Sequence, residues 1–100
     1  MAAYLIVMRE GAVQDEDAYN TYVKMNQDNP PKAVIKPLVA YGAVDGLEGE
    51  APDGVVMLEF DSVEAARAWY ESPEYQAALP HRIKCGDWRA FIVDGAVNLP

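Results

Sequence analysis

Strand-like runs alternate with helical periodicity along this chain, and the order in which they come leaves few folds open. Tyr4 to Arg9 is a short apolar run with β-branched residues, closed by Gly11, and reads as a first strand. From Asp15 to about Asp28 the pattern is helical: Ala18, Tyr22 and Met25 fall at i, i+4 and i+7, beside Tyr19 and Val23. Acidic Asp15, Glu16 and Asp17 suit its first turn, and Asn29-Pro30-Pro31 ends it. Ala33 to Tyr41 admits two readings. Two prolines could open a short helix that Pro37 then breaks, but the β-branched content favours a strand with Pro37 at an edge or bulge.

Gly42 to Gly54 reads as turns around a short extended Leu47-Glu48-Gly49-Glu50, and Gly54 to Phe60 as the clearest strand. Asp61 and Ser62 offer caps for a helix over Val63–Glu71. Ser72-Pro73-Glu74 starts another, which runs through Tyr75 and Leu79 and is expected to bend or stop near Pro80. Trp88 to Val93 is the last strand. The order is β-α-β-β-α-β, a split βαβ unit of the α+β class whose antiparallel sheet has helices on one face only. Strand 1 places Tyr4, Ile6 and Met8 on one face and Leu5, Val7 and Arg9 on the other, so both faces are apolar. The expected cover for the helix-free face is a second copy of the chain, giving a face-to-face homodimer.

The 100 residues fit a single domain with one core. The net charge of −8 argues against nucleic acid, which needs clustered Lys and Arg. No stretch is long and apolar enough to enter a membrane, and the first residues lack the pattern of a signal peptide. The one cysteine, Cys85, fits a reducing cytoplasm, and one His with one Cys makes no structural metal site.

Several strings together carry a family signature: Leu47-Glu48-Gly49-Glu50, Val55 to Phe60, Ser62 with Glu64-Ala65-Ala66, Ala68 to Gln76 (AWYESPEYQ) and Ile92-Val93-Asp94-Gly95. With Tyr19 and Tyr22 they resemble the DUF1330 pattern over nearly the whole chain. The resemblance implies a ferredoxin-like fold assembled as a dimeric α+β barrel, with a pocket between sheet and helices. It implies little chemistry. The wider superfamily includes cofactor-free monooxygenases, isomerases, cyclases, lyases and haem enzymes, which is fold-level analogy. The chain departs from the family at Ile35-Lys36-Pro37-Leu38, where a Gly pair and an Arg are usual, and at Pro80-His81-Arg82, where a plain helix is usual.

Chemistry is expected first at His81 and Arg82. Histidine suits proton transfer, and arginine can clamp a carboxylate through two hydrogen bonds. The plainer alternative is a kinked helix end with both side chains in solvent. Cys85 could act as a nucleophile or acid, although a free cysteine is more often a small buried apolar group. Glu59 lies among apolar residues, either as a general base or as the partner of Arg9, Arg82 or Arg89. Arg9, Tyr22, Asn26 and Tyr41 complete the expected substrate-binding set, within a wider group of Tyr and Trp that also fits core or interface. The functional expectation is a cofactor-independent enzyme, an isomerase acting on a small anionic unsaturated or aromatic-derived metabolite. The alternatives are a non-catalytic dimeric binding module and a cofactor-free monooxygenase.

Overall fold

A computed structural model describes residues 2–32 and 35–97. Strand β1 (Ala3–Glu10) leads to helix α1 (Glu16–Asp28), then β2 (Lys36–Ala40) and β3 (Gly54–Phe60). Helices α2 (Val63–Tyr70) and α3 (Pro73–Lys84) follow, and β4 (Asp87–Asp94) closes the chain. The sheet is antiparallel in the order β2-β3-β1-β4, the ferredoxin-like arrangement.

Local chemistry accounts for the element ends. Asp15 caps α1 by accepting from the Ala18 N–H at 3.0 Å, so it stands just before the helix instead of inside it. Ser62 caps α2 through the Ala65 N–H at 3.0 Å. Ser72 does two jobs at the α2–α3 junction: its hydroxyl accepts from the Tyr75 N–H at 3.3 Å and donates to the Trp69 carbonyl at 2.6 Å. The first helix of that pair is thereby tied to the second.

The register assigns every strand residue to a face. Leu5 and Val7 lie beside Leu58 and Val56 of β3 and beside Ile92 and Ala90 of β4, under the helices. There Leu5, Val7, Phe60, Ala66, Trp69, Tyr75 and Leu79 form the core, with Trp69 and Tyr75 ring centroids 4.4 Å apart. Tyr4, Ile6 and Met8 occupy the opposite face beside Met57 and Val55 of β3 and Val93 and Phe91 of β4. Among the described residues no helix covers that face, and Phe91 and Val93 are exposed on it.

Pro37 sits on edge strand β2 beside a register shift between Pro37 and Val39, where its missing N–H costs no ladder bond that a central strand would need. Ala33 and Val34 of the expected strand fall outside the described residues. Two expectations are corrected. Leu47 to Gly49 bends instead of extending, and Gly49 holds a φ of +71° that a strand does not use. Helix α3 does not stop at Pro80 but continues to Lys84. Pro80 is exposed on its solvent side, where water can satisfy the Gln76 carbonyl that the ring deprives of a partner. No helix among the described residues is long and apolar enough to cross a membrane.

Candidate functional site

Because α3 is continuous, Tyr75 and Arg82, two turns apart, share its buried stripe with Ala78 and Leu79. Facing them, α1 supplies Tyr19, Tyr22 and Asn26 at i, i+3 and i+7. Arg9 of β1 and Trp88 of β4 oppose each other in the sheet register and reach the same side. The hydroxyls of Tyr22 and Tyr75 lie 2.8 Å apart, and Arg82 Nη1 donates to the Tyr75 hydroxyl oxygen at 3.3 Å. The Arg82 guanidinium carbon stands 5.5 Å from the centroid of the Trp88 ring and that of Arg9 stands 5.7 Å from it.

Arg82 is only 4% exposed, and no carboxylate among the described residues pairs with it. Its Nε and the indole Nε1 of Trp88 are buried donors without a partner. Arg9 is likewise free of acid contacts, its donors going to the carbonyls of Gly11 at 2.9 Å and Asp53 at 3.4 Å. Arg67 and Arg89, by contrast, pair with Glu71 and Glu10 on the surface. The chain carries sixteen acidic and eight basic residues, yet among the described residues no acid pairs with either arginine of this cluster. Burying a guanidinium costs several kcal/mol unless an anion compensates it, and arginine cannot escape by losing its proton.

Tyr41 completes the cluster by an unusual route. Its neighbour Ala40 pairs with Val56 on the helix side, so a regular strand would send Tyr41 to the open face. Instead Tyr41 takes a φ of +60°, the left-handed region that bulky residues avoid. Its ring stands edge-on to Tyr19, centroids 6.4 Å apart, on the helix side. Gly54 makes room: a Cβ there would lie 3.2 Å from the Tyr41 ring and 3.3 Å from the Arg9 guanidinium. Backbone strain of this kind is retained where surrounding contacts enforce it.

The structure thus brings together Arg9, Tyr22, Asn26, Tyr41 and Arg82 of the sequence-derived set. The others stand apart. His81 is about 100° round the helix from Arg82 and half-buried on the flank, so the two do not form one clamp. Cys85 is fully buried, and its thiol donates to the Arg82 carbonyl at 3.1 Å, closing the end of α3. Glu59 lies on the open face, in register with Tyr4 and Lys36, and no ion pair among the described residues involves it.

Comparison with known proteins fits this architecture. The profile of DUF1330, a domain of unknown function, matches residues 2–96. The chain belongs to the DUF1330 family. Among solved structures it is similar to a Rhodopseudomonas palustris protein of unknown function (TM-score 0.64, 18% identity, 97% of this chain and 84% of that one). A dimeric ferredoxin-like protein of unknown function from Thermobifida fusca gives a TM-score of 0.61 at 19% identity, covering 92% and 89%. SnoaB, a cofactor-independent oxygenase from Streptomyces nogalater, gives 0.50 at 10% identity, covering 99% and 96%. At such identities the likeness concerns the fold. No curated protein matches the chain.

In this DUF1330 domain the clustered phenols are held protonated. Burial pushes Tyr22 far above the ordinary phenol range, with Tyr75 adding to the rise, while Arg82 and Asn26 oppose it. Tyr41, although 42% exposed, is raised as well, by partial burial first and then by the neighbouring Tyr19 phenol. Tyr75 rises by burial against the pull of Arg82. A phenol whose folded pKa lies above its unfolded value near 10.0 keeps its full stabilising effect below that pH. As pH climbs past it, the unfolded chain releases protons that the folded chain retains, and stability falls. Absorbance at 295 nm should accordingly rise in two phases on alkaline titration, the second coinciding with unfolding. A single phase accounting for all six tyrosines in the folded protein would contradict the buried network.

Proposed function

We propose that this domain is a cofactor-independent enzyme that binds a small carboxylate between α1, α3 and the sheet and moves a proton on it, isomerisation of an unsaturated acid being the reaction. The observation that carries the reading is Arg82: a guanidinium 4% exposed, without a carboxylate partner among the described residues, in a chain with an excess of acids. An incoming anion is the counter-charge this site lacks. Because a guanidinium only donates, the Tyr75 oxygen accepts from Arg82. If Tyr75 then donates to Tyr22, each hydrogen is used once, and the Tyr22 hydrogen is left to point at a substrate oxygen. Protonated phenols aimed at a developing enolate stabilise it as fixed dipoles do. The proton is assigned to His81, which would have to reach the bound acid from the flank of α3, about 100° round the helix from Arg82. Cys85 and Glu59, one sealed in the helix end and one on the far face, take no part in this scheme.

One observation favours a second reading. Tyr41 and Trp88 each lie near Arg9, and Tyr22 with Asn26 stands on the facing helix; these aromatics with an amide suit an oxidisable polyphenol and molecular oxygen, and SnoaB shares the fold. In either case the protomer is proposed to pair with a second copy through its open sheet face, as its dimeric ferredoxin-like neighbour from Thermobifida fusca encourages.

The test is a thermal-shift series with benzoate, sorbate and cis,cis-muconate, followed by NMR of any stabilising acid in D2O. Binding to the folded state raises the melting temperature by mass action. Deuterium entering a carbon position, lost in His81→Ala while the thermal shift persists, supports proton transfer. Oxygen uptake with a polyphenol would favour the oxygenase reading. Binding without either leaves a binding module, and no shift with any anion removes the proposal.

A further inference from the structure

We infer that anions reach Arg82 through a groove between the end of α3 and edge strand β4, and that Gly86 is the threshold of this route. The inference rests on the anion-site reading above. A groove of about 490 Å3 runs along that edge, with Tyr70, Ile83 and Ala90 on its walls. Arg82 and Trp88 line it too, and they are the two site residues whose Nε and Nε1 donors lack partners. Both donors are covered, so a ligand arriving along the groove must move one local element to touch them.

Gly86 is placed to be that element. A Cβ built on it would lie 3.3 Å from Trp88 Nε1 and 3.7 Å from Arg9 Cδ, so its bare backbone rests against the indole N–H. The turn does not demand glycine for its backbone angles: among the described glycines, only Gly11 and Gly49 have positive φ. The missing side chain at position 86 therefore has a spatial consequence without a conformational one. It leaves backbone alone, without a side chain, as the cover over the unpartnered indole N–H. Asp87, the one acid on the rim, belongs by register to the other sheet face, opposite Glu10, and accepts from Gln14 Nε2 at 3.4 Å. Ile83, exposed at the mouth, offers apolar surface to the body of a carboxylate.

Iodide tests this without knowledge of the natural ligand, since it is both an anion and a quencher of indole fluorescence. In a Trp69→Phe background Trp88 is the only tryptophan. Iodide is expected to quench it roughly threefold more strongly than caesium, because buried positive charge concentrates anions locally. Gly86→Val should bring iodide down to the caesium level, and Gly86→Ala should fall between. If Trp69→Phe does not fold, the Trp88 resonance of 5-fluorotryptophan-labelled protein reports the same comparison by 19F NMR. Iodide preference that survives in Gly86→Val overturns the route but leaves the anion site standing. No preference for iodide over caesium removes the anion site and this inference with it.

Discussion

Exchange of Arg82 for methionine is expected to raise the melting temperature and to abolish carboxylate binding in the same protein. Methionine fills much of the aliphatic volume of arginine without a charge, and its flexible chain adapts to the space between Tyr75 and Trp88. The change removes a buried cation that has no acid partner among the described residues, and replacing buried charges by apolar groups stabilises by about 1–4 kcal/mol. Against this stands the hydrogen bond to Tyr75, worth about 1 kcal/mol. For a domain of this size each kcal/mol moves the melting point by about 4–8 °C. Calorimetry should therefore show a rise of a few degrees, while the thermal shift given by benzoate or sorbate disappears. A gain of stability coupled to loss of function marks a group kept for its ligand. Arg82→Lys makes the contrast sharper, since it keeps the charge but loses the planar fork, and should neither stabilise nor bind well. A fall of several degrees in Arg82→Met with binding intact would make Arg82 a structural residue.

Most of the fold was legible because periodicity and capping acted locally. The Ser62 and Ser72 caps, the edge position of Pro37 and the two apolar faces of β1 follow from residue type and spacing alone, whereas Asp15, expected within the first turn of α1, caps it from outside. The site was harder to read, and Pro80 shows why. A proline eight residues into a helix looks like a stop, and a helix ending there separates Arg82 from Tyr75. Only the continuation of α3 past an exposed Pro80 puts the two on one buried stripe. The same misreading joined His81 to Arg82 as neighbours in a kink, whereas on a continuous helix adjacent residues point apart. Tyr41 was in the sequence-derived set, but its left-handed backbone was not legible, because nothing local calls for it; Gly54, thirteen positions away, provides the space. Strand alternation puts Glu59 on the face of Val55 and Met57, yet which face the helices cover depends on the whole sheet.

Replacing Ile6 by aspartate is expected to convert a dimer into a folded monomer. Ile6 stands at the centre of the open face, between Met57 of β3 and Phe91 of β4. Around this apolar centre the charges sit at the ends: Glu59 and Lys36 in register at one, and the Arg89–Glu10 pair, 2.7 Å apart, at the other. An apolar middle with a polar rim is how protein interfaces are built. A face-to-face dimer buries Ile6 from both copies, so the substitution places two carboxylates in one desolvated patch. Each unpaired buried charge costs at least a few kcal/mol, and a loss of about 4 kcal/mol already weakens the dimer about a thousandfold. Light scattering across a concentration series should give the dimer mass for the parent protein and the monomer mass for Ile6→Asp. The fold itself should persist, because Ile6 is only half-buried in the protomer and the core of Leu5, Val7 and Phe60 lies on the other side of the sheet. Gln27→Asp, on the exposed side of α1, should leave the mass unchanged. The melting temperature of the parent should also rise with protein concentration, and that of Ile6→Asp should not, since only the parent gains stability by association. An Ile6→Asp protein that remains dimeric would place the interface on another surface and leave the exposure of Phe91 and Val93 without a partner.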